Sequence, residues 1–300
     1  MAHSEASLSS MPADAPIERL RQKLSAAEKA TGLTGECGRW VEFDIAAIDA
    51  ALAGGLACGT LHEIAAARPT EAPAATGFAL AVTARFLSSN PRRHGRARPG
   101  HPRLDCDGID VDARNKSGHD GTAVLWIVED IALWENGAPY GPGLDEAGIP
   151  PEQLITVAAS RTRDVLWAME EALRCRAVGV VIGEIRARGI DQVATRRLSL
   201  AAATGSTLGL LMRTAPDDGP CAFATRWIVG AEPSCLLSSA ERCRGIGPPR
   251  LAVHLTRNRR GHLGAWIVEW NSVEQRLKLT THSEPVAQSF FDRPHRTAVA

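Results

Sequence analysis

The sequence predicts an α/β fold built on a mostly parallel central sheet, with a small antiparallel extension at its C-terminal end. Three observations carry this. Apolar runs without polar alternation, such as Ala123-Val-Leu-Trp-Ile-Val128 and Ala177-Val-Gly-Val-Val-Ile182, have the pattern of strands buried on both faces. Segments with apolar residues at helical spacing separate those runs, giving the strand, helix, strand rhythm of right-handed crossovers. Beyond Ala222 that rhythm gives way to strands divided by turns.

The 300 residues, 44% apolar and 23% charged, are enough to bury one large core. Lys plus Arg and Asp plus Glu number 34 each, so no long-range field draws the molecule to nucleic acid or an anionic membrane, and any such contact must be local. Cys37, Cys58, Cys106, Cys175, Cys221, Cys235 and Cys243 are scattered with no Cys-x-x-Cys pair. Neither a metal site nor a disulfide framework is indicated, and thiols in a reducing cytoplasm are expected. The N-terminus has no charged and apolar leader, and no window approaches the ~18 apolar residues of a membrane span. A cytoplasmic protein without membrane contact is expected.

In chain order, residues 1–16 are Ser, Ala and Pro rich and read as a flexible tail. A helical region follows over 17–53. Within it, Ile17, Leu20, Leu24 and Ala27 recur at helical spacing among Arg19, Arg21, Lys23, Glu28 and Lys29. This amphipathic segment is either a docking arm for a partner or a helix packed on its own domain. Residues 39–43 read as extended, and Asp44 is placed to cap a helix over 45–53 that stops at Gly54-Gly55. The main domain is expected over 54–270, with its first core strand at 60–64, a Pro-rich joint over 65–73 and a helix over 75–87.

Residues 88–121 interrupt the pattern with prolines, arginines and then aspartates, and almost no apolar periodicity. A stretch of that kind inside a domain reads as a disordered insertion, neutral to the fold, or as a basic DNA-binding loop; the aspartates weaken the second reading. Strands are expected at 123–128, 154–157, 177–182 and 207–212, with helices over 163–175, capped by Thr162, and 190–203. A Gly/Pro-rich loop passes through Tyr140-Gly-Pro-Gly143. Antiparallel strands are expected at 222–229, 250–256 and 264–270, then a loose tail over 271–300.

Gly54 to Ser88 has the frame of a phosphate-binding loop: a glycine turn, a short apolar strand, a loop and a helix rising from it. The working motif ends in Gly-Lys-Ser/Thr. Here Ala75, Thr76, Gly77 and Phe78 stand at that place, and no lysine occurs between Lys29 and Lys116. Nucleotide hydrolysis also needs a metal-holding carboxylate at a neighbouring strand end and another to position water. Gly183 occupies the first position, and Glu184, one residue on, turns to the other face of a strand. Glu129 and Asp130 are either the water-positioning carboxylate or a solvated pair. The P-loop is therefore degenerate at Thr76, Gly77, Glu129, Asp130, Gly183 and Glu184, with no catalytic residue, cofactor or metal expected.

His62, inside an apolar strand, reads as a satisfied core histidine. Trp126 and Trp266 read as core, and Trp134 and Trp167 as exposed anchors. Arg257, Arg259 and Arg260, in a turn between two strands, form the best local basic patch. They suit DNA phosphates, although hairpin turns are commonly charged for solubility alone.

The ordered set Phe43-Asp-Ile-Ala-Ala-Ile-Asp49, Gly54-Gly-Leu56, Leu61-His-Glu-Ile64, Leu125-Trp-Ile127, Tyr140-Gly-Pro-Gly-Leu144 and Arg257-Asn-Arg-Arg-Gly261, leading to Trp270, resembles the ImuA family of bacterial damage-inducible mutagenesis proteins. Its core strands follow the order of RecA. The resemblance implies a RecA-like core that has lost its ATP site and serves SOS-induced, error-prone translesion DNA synthesis. The implied partners are an ImuB-like Y-family protein and a DnaE-type error-prone polymerase, with RecA or single-stranded DNA as further candidates. Two alternatives stay open: a divergent ATP-dependent recombinase or DNA-stimulated ATPase using Glu184 and Glu129, and an SOS cell-division inhibitor of the SulA type.

Overall fold

A computed structural model describes residues 39–89, 123–187, 189–234 and 247–280. The expectations for 1–16 and 17–30, and nearly all of those for 88–121, lie outside these residues. The strands are β1 (Trp40–Val41), β2 (Leu56–Ala57), β3 (Leu61–Ala66), β4 (Ala123–Glu129), β5 (Leu154–Ala159), β6 (Val178–Ile185), β7 (Leu208–Arg213), β8 (Thr225–Glu232), β9 (Arg250–Asn258), β10 (Gly264–Asn271) and β11 (Arg276–Leu279). The helices are α1 (Ala46–Ala51), α2 (Ala72–Ser88), α3 (Asp130–Asn136), α4 (Gly141–Glu146), α5 (Thr162–Arg174) and α6 (Gln192–Gly205).

Nine strands form one sheet in the order β11-β10-β9-β8-β3-β7-β6-β4-β5, and β1 pairs with β2 in a separate ribbon. Neighbours from β8 to β5 run parallel, and those from β8 to β11 antiparallel. The α/β class, the mostly parallel sheet and the antiparallel C-terminal group are thus as the sequence predicts. The apolar runs end up where a parallel sheet needs them: every residue of β3 and β7 is buried.

One face of the sheet carries α2. Nine of its residues are buried, most of them alanines that let the helix lie close. Phe78 stacks on Phe43 at 5.8 Å and meets Trp227 of β8 at 5.3 Å between ring centroids, anchoring the largest core cluster. The other face carries α5 and α6, with Val165, Met169, Leu173, Leu198 and Ala202 against Leu61, Ile127, Val181 and Leu211.

Several expectations are corrected. β8 is parallel to β3 on one side and antiparallel to β9 on the other, so it closes the parallel set and opens the antiparallel one. Residues after Asn271 are not all a loose tail, because β11 pairs with β10 and buries Leu277. The loop around Tyr140 contains two short helices, α3 and α4. Asp44 does not cap α1: it sits at φ 57° and pairs with Arg85 at 2.7 Å, while Asp49 accepts from the backbone N–H groups of Phe43 and Ile45. Nor does Thr162 cap α5. The N-cap is Arg161, and the Thr162 hydroxyl donates to Glu129 instead.

Candidate functional site

In parallel α/β sheets ligands meet the carboxyl ends of the strands, where helix N-termini also point. Here that edge carries the end of β3, the loop into α2, the ends of β4 and β6, and Arg213 at the end of β7. It brings together some of the nucleotide-frame residues and separates others. Thr76, Gly77 and Glu184 line one cleft; Gly183, Glu129 and Asp130 lie apart from it.

Strand alternation causes the separation. Trp126, Val128 and Glu184 share the face covered by α2, and Ile127 and Gly183 the face covered by α5. Gly183 has a neighbour in the space a side chain would take: a Cβ there would stand 2.6 Å from the sulfur of Met169 and 3.3 Å from Cδ1 of Leu211. A close contact between sheet and helix thus fills the space that a side chain at this position would take. Glu129 is buried rather than solvated and accepts the Thr162 hydroxyl, and Asp130 accepts the Ser160 hydroxyl at 2.9 Å. Both carboxylates therefore fix the start of α5 to the end of β4.

The start of α2 is equally altered. Pro69 stands in the 3-10 turn Pro69–Glu71 and Pro73 in the first turn of the helix, so two of the N–H groups that could face an anion are missing. The N-cap residue is Glu71, whose carboxylate accepts from Arg68 at 2.6 Å. That hydrogen bond, with further backbone donors, holds the Glu71 carboxyl below its ordinary range. Glu71 and Arg68 thus neutralise each other beside the start of α2, the carboxylate largely covered and the guanidinium exposed. The Thr76 hydroxyl turns back to the carbonyl of Ala72 at 3.1 Å.

The cleft itself, of about 480 Å³, lies between the first turns of α2, the face of β4 and the α3–α4 segment. Leu80, Trp126, Leu133, Leu144 and Tyr140 give it apolar walls, and Glu184 sits at its base. The Trp126 indole N–H donates to Oε2 of Glu184 at 3.2 Å. Burial pushes the Glu184 carboxyl above its ordinary range, opposed by that hydrogen bond and by the Arg186 charge. Beside the cleft, Ile131, Trp134 and Tyr140 are exposed, Trp134 at 89%, and Trp167 is exposed on α5.

A further cluster lies within the sheet. Glu63 of β3, fully buried, receives Arg213 Nη1 at 2.9 Å and the Nε of Arg226. A carboxylate inside an apolar strand was the only available signal. Its partners lie 150 and 163 residues further along the chain. His62, on the opposite face, is a core histidine as expected: it bonds the hydroxyls of Thr60 and Thr225, each at 2.8 Å. Burial lowers its pKa to about 4.

The basic turn is built into the fold. The guanidinium of Arg260 lies 3.9 Å from the centre of the Trp40 ring, and Nη2 of Arg259 donates to the carbonyl of Cys221 at 3.4 Å. Asn258 Nδ2 donates to Ala51 O at 2.8 Å, and a Cβ at Gly261 would meet that same carbonyl at 2.0 Å. The Asn and Gly of this motif let the turn dock on the end of α1. Arg257 is half-buried, while Arg259 and Arg260 keep exposed surface. Among the described residues, Cys175 and Cys221 are free thiols, no group of side chains could hold a metal ion, and no helix is long and apolar enough to cross a membrane.

No family model matches the chain. The solved structure of the RadB recombinase aligns with a TM-score of 0.49 and 13% identity, covering 80% of this chain and 99% of that one. Protein ImuA of Caulobacter vibrioides, from each of two strains, is 30% identical over 166 residues. The matched stretch covers 52% of this chain and 64% of the length of those relatives. Over about half its length, then, the chain is similar to Protein ImuA, the family its motifs resemble.

Proposed function

We propose that this protein is a RecA-like accessory protein of the ImuA type that serves damage-induced, error-prone translesion DNA synthesis without hydrolysing ATP. It acts by contact with an ImuB-like Y-family protein and a DnaE-type polymerase, with RecA or single-stranded DNA as further partners. The observation that carries the non-catalytic part is the start of α2. Where a phosphate loop offers a lysine and free N–H groups, this chain offers two prolines and, at the N-cap, Glu71 already paired with Arg68. The Met169 sulfur against Gly183 supports the same reading at the metal position. Trp134 and Trp167 supply exposed aromatic surface of the kind that anchors protein interfaces, and Arg259 and Arg260 supply the local positive charge that DNA would need.

The test is ATP binding and turnover by the purified protein with Mg²⁺, with and without single-stranded DNA, beside co-purification with an ImuB-like protein. No saturable ATP binding is expected, together with a stable complex that weakens on Trp134→Ala. Saturable ATP binding that disappears in Glu184→Ala would instead identify a nucleotide site rebuilt without the lysine.

A further inference from the structure

No basic residue lines the cleft beside the start of α2, and its one carboxylate, Glu184, receives the Trp126 indole N–H inside apolar walls. Arg186, whose charge acts on that carboxylate, is engaged with Glu135. Glu129 adds charge of the same sign. A carboxylate in such a place is complemented by a cation that arrives with apolar groups to fill the walls.

The surface around the cleft indicates the size of that occupant. The same α3–α4 segment that supplies one wall, through Leu133 and Leu144, also carries the exposed Ile131 and Trp134. Tyr140 belongs to both, lining the cleft while 73% exposed. A site for a small molecule buries most of its ligand. Here apolar and aromatic surface continues from the pocket onto the open face, which is the pattern of a protein anchor with its rim. Charge and shape together therefore call for a stretch of polypeptide in which apolar side chains flank a basic one.

We propose that this cleft is the docking site for such a segment of a partner protein, its lysine or arginine paired with Glu184 and its apolar side chains against Leu80, Trp126 and Leu133. The Trp126 indole, already bonded to Glu184, lies where the cation arrives and so reports its binding. This deepens the proposed function, resting on its reading that the protein acts through a protein partner, and states what that partner has to bring.

The test uses the full-length protein with isotopically labelled tryptophan and follows the indole N–H of Trp126 by NMR, identified by its loss in Trp126→Phe. The probes are the capped peptide Leu-Lys-Phe and its counterparts with Gln or Glu in place of Lys. A saturable shift with the Lys peptide is expected, with about tenfold weaker binding of the Gln peptide, as for loss of one charged contact, and weaker binding still of the Glu peptide. Glu184→Gln should bring the Lys peptide down to the level of the Gln peptide. Absence of any shift, equal binding of the Lys and Glu peptides, or a preference for Lys that survives Glu184→Gln overturns the proposal. The complex with an ImuB-like protein is measured beside it and should weaken about tenfold in Glu184→Gln. A wild-type complex that this variant leaves unchanged overturns the docking site while the accessory function stands. No complex with the wild-type protein overturns the accessory function, and the peptides alone then decide the cleft. Circular dichroism confirms that each variant is folded.

Discussion

Glu63 and Glu184 are both carboxylates on inner, parallel strands of one sheet, yet their surroundings differ in kind. Glu63 is enclosed: Arg213 and Arg226 both bind it, Arg213 continues to Asp217 at 3.1 Å and to Ala187 O at 3.3 Å, and Arg226 reaches Cys221 Sγ at 3.2 Å. Glu184 faces an open cleft and has one indole donor. A buried charge held by guanidiniums from two neighbouring strands specifies how strands β3, β7 and β8 align, because any other register leaves a charge alone. A carboxylate left partly satisfied in an apolar wall specifies what may enter. Residue type does not separate the two carboxylates; the two guanidiniums around Glu63 and the single indole N–H on Glu184 do.

The strongest way to break this comparison is to remove the enclosed carboxylate. Glu63→Gln leaves two buried guanidiniums facing a neutral amide and is expected to cost about 3–5 kcal/mol. Urea unfolding should show a lower midpoint with an unchanged slope. Replacing Glu63, Arg213 and Arg226 together by apolar residues of similar volume should recover most of that loss. A single-variant loss below about 1 kcal/mol would mean the cluster is not the closed network its geometry describes.

His62 extends the comparison to a titratable group that shares the face of Glu184 but is fully partnered. Its native pKa of about 4 lies below the ordinary 6.5, so the unfolded chain binds the proton first as pH falls. The stability from neutral His62 is complete above pH 6.5 and is lost between pH 6.5 and about 4. The full loss is roughly 3 kcal/mol. Wild-type protein should lose stability over that window more steeply than His62→Gln, as followed by thermal melts between pH 7 and pH 4. Parallel curves would show that His62 titrates normally and that its two hydroxyl partners do not enclose it.

Much of the fold was legible because parallel sheets write themselves as continuous apolar runs. β4, β6 and β7 were found within a few residues by that signal alone. The pairing of β8 was not legible, since an apolar strand carries no mark of which neighbour it joins or in which direction. β11 escaped because Arg-Leu-Lys-Leu shows a single buried residue. At the candidate site, the missing lysine and Gly183 could be read directly. What filled their places could not: Met169 approaches Gly183 from a helix, and Glu71 gains its meaning only from standing at the N-cap of α2. The Trp126–Glu184 contact joins residues 58 positions apart. It depends on β4 and β6 pairing in a register the sequence does not state.

The smallest expected effect tests the other half of the comparison. If Glu184 is a recognition group, its removal should hardly change folding. Burial raises its native pKa above the ordinary carboxyl value. Its contribution to stability is therefore present below the unfolded pKa and is lost as pH rises through the native one. At neutral pH the ionised carboxylate is a cost to the cleft unless a cation lies beside it. Glu184→Gln should stabilise the protein by about 1 kcal/mol or less at pH 7 and change nothing below pH 4, as followed by thermal melts. A loss of stability at pH 7 would show that the ionised carboxylate is held by the fold, as Glu63 is, and does not serve the cleft.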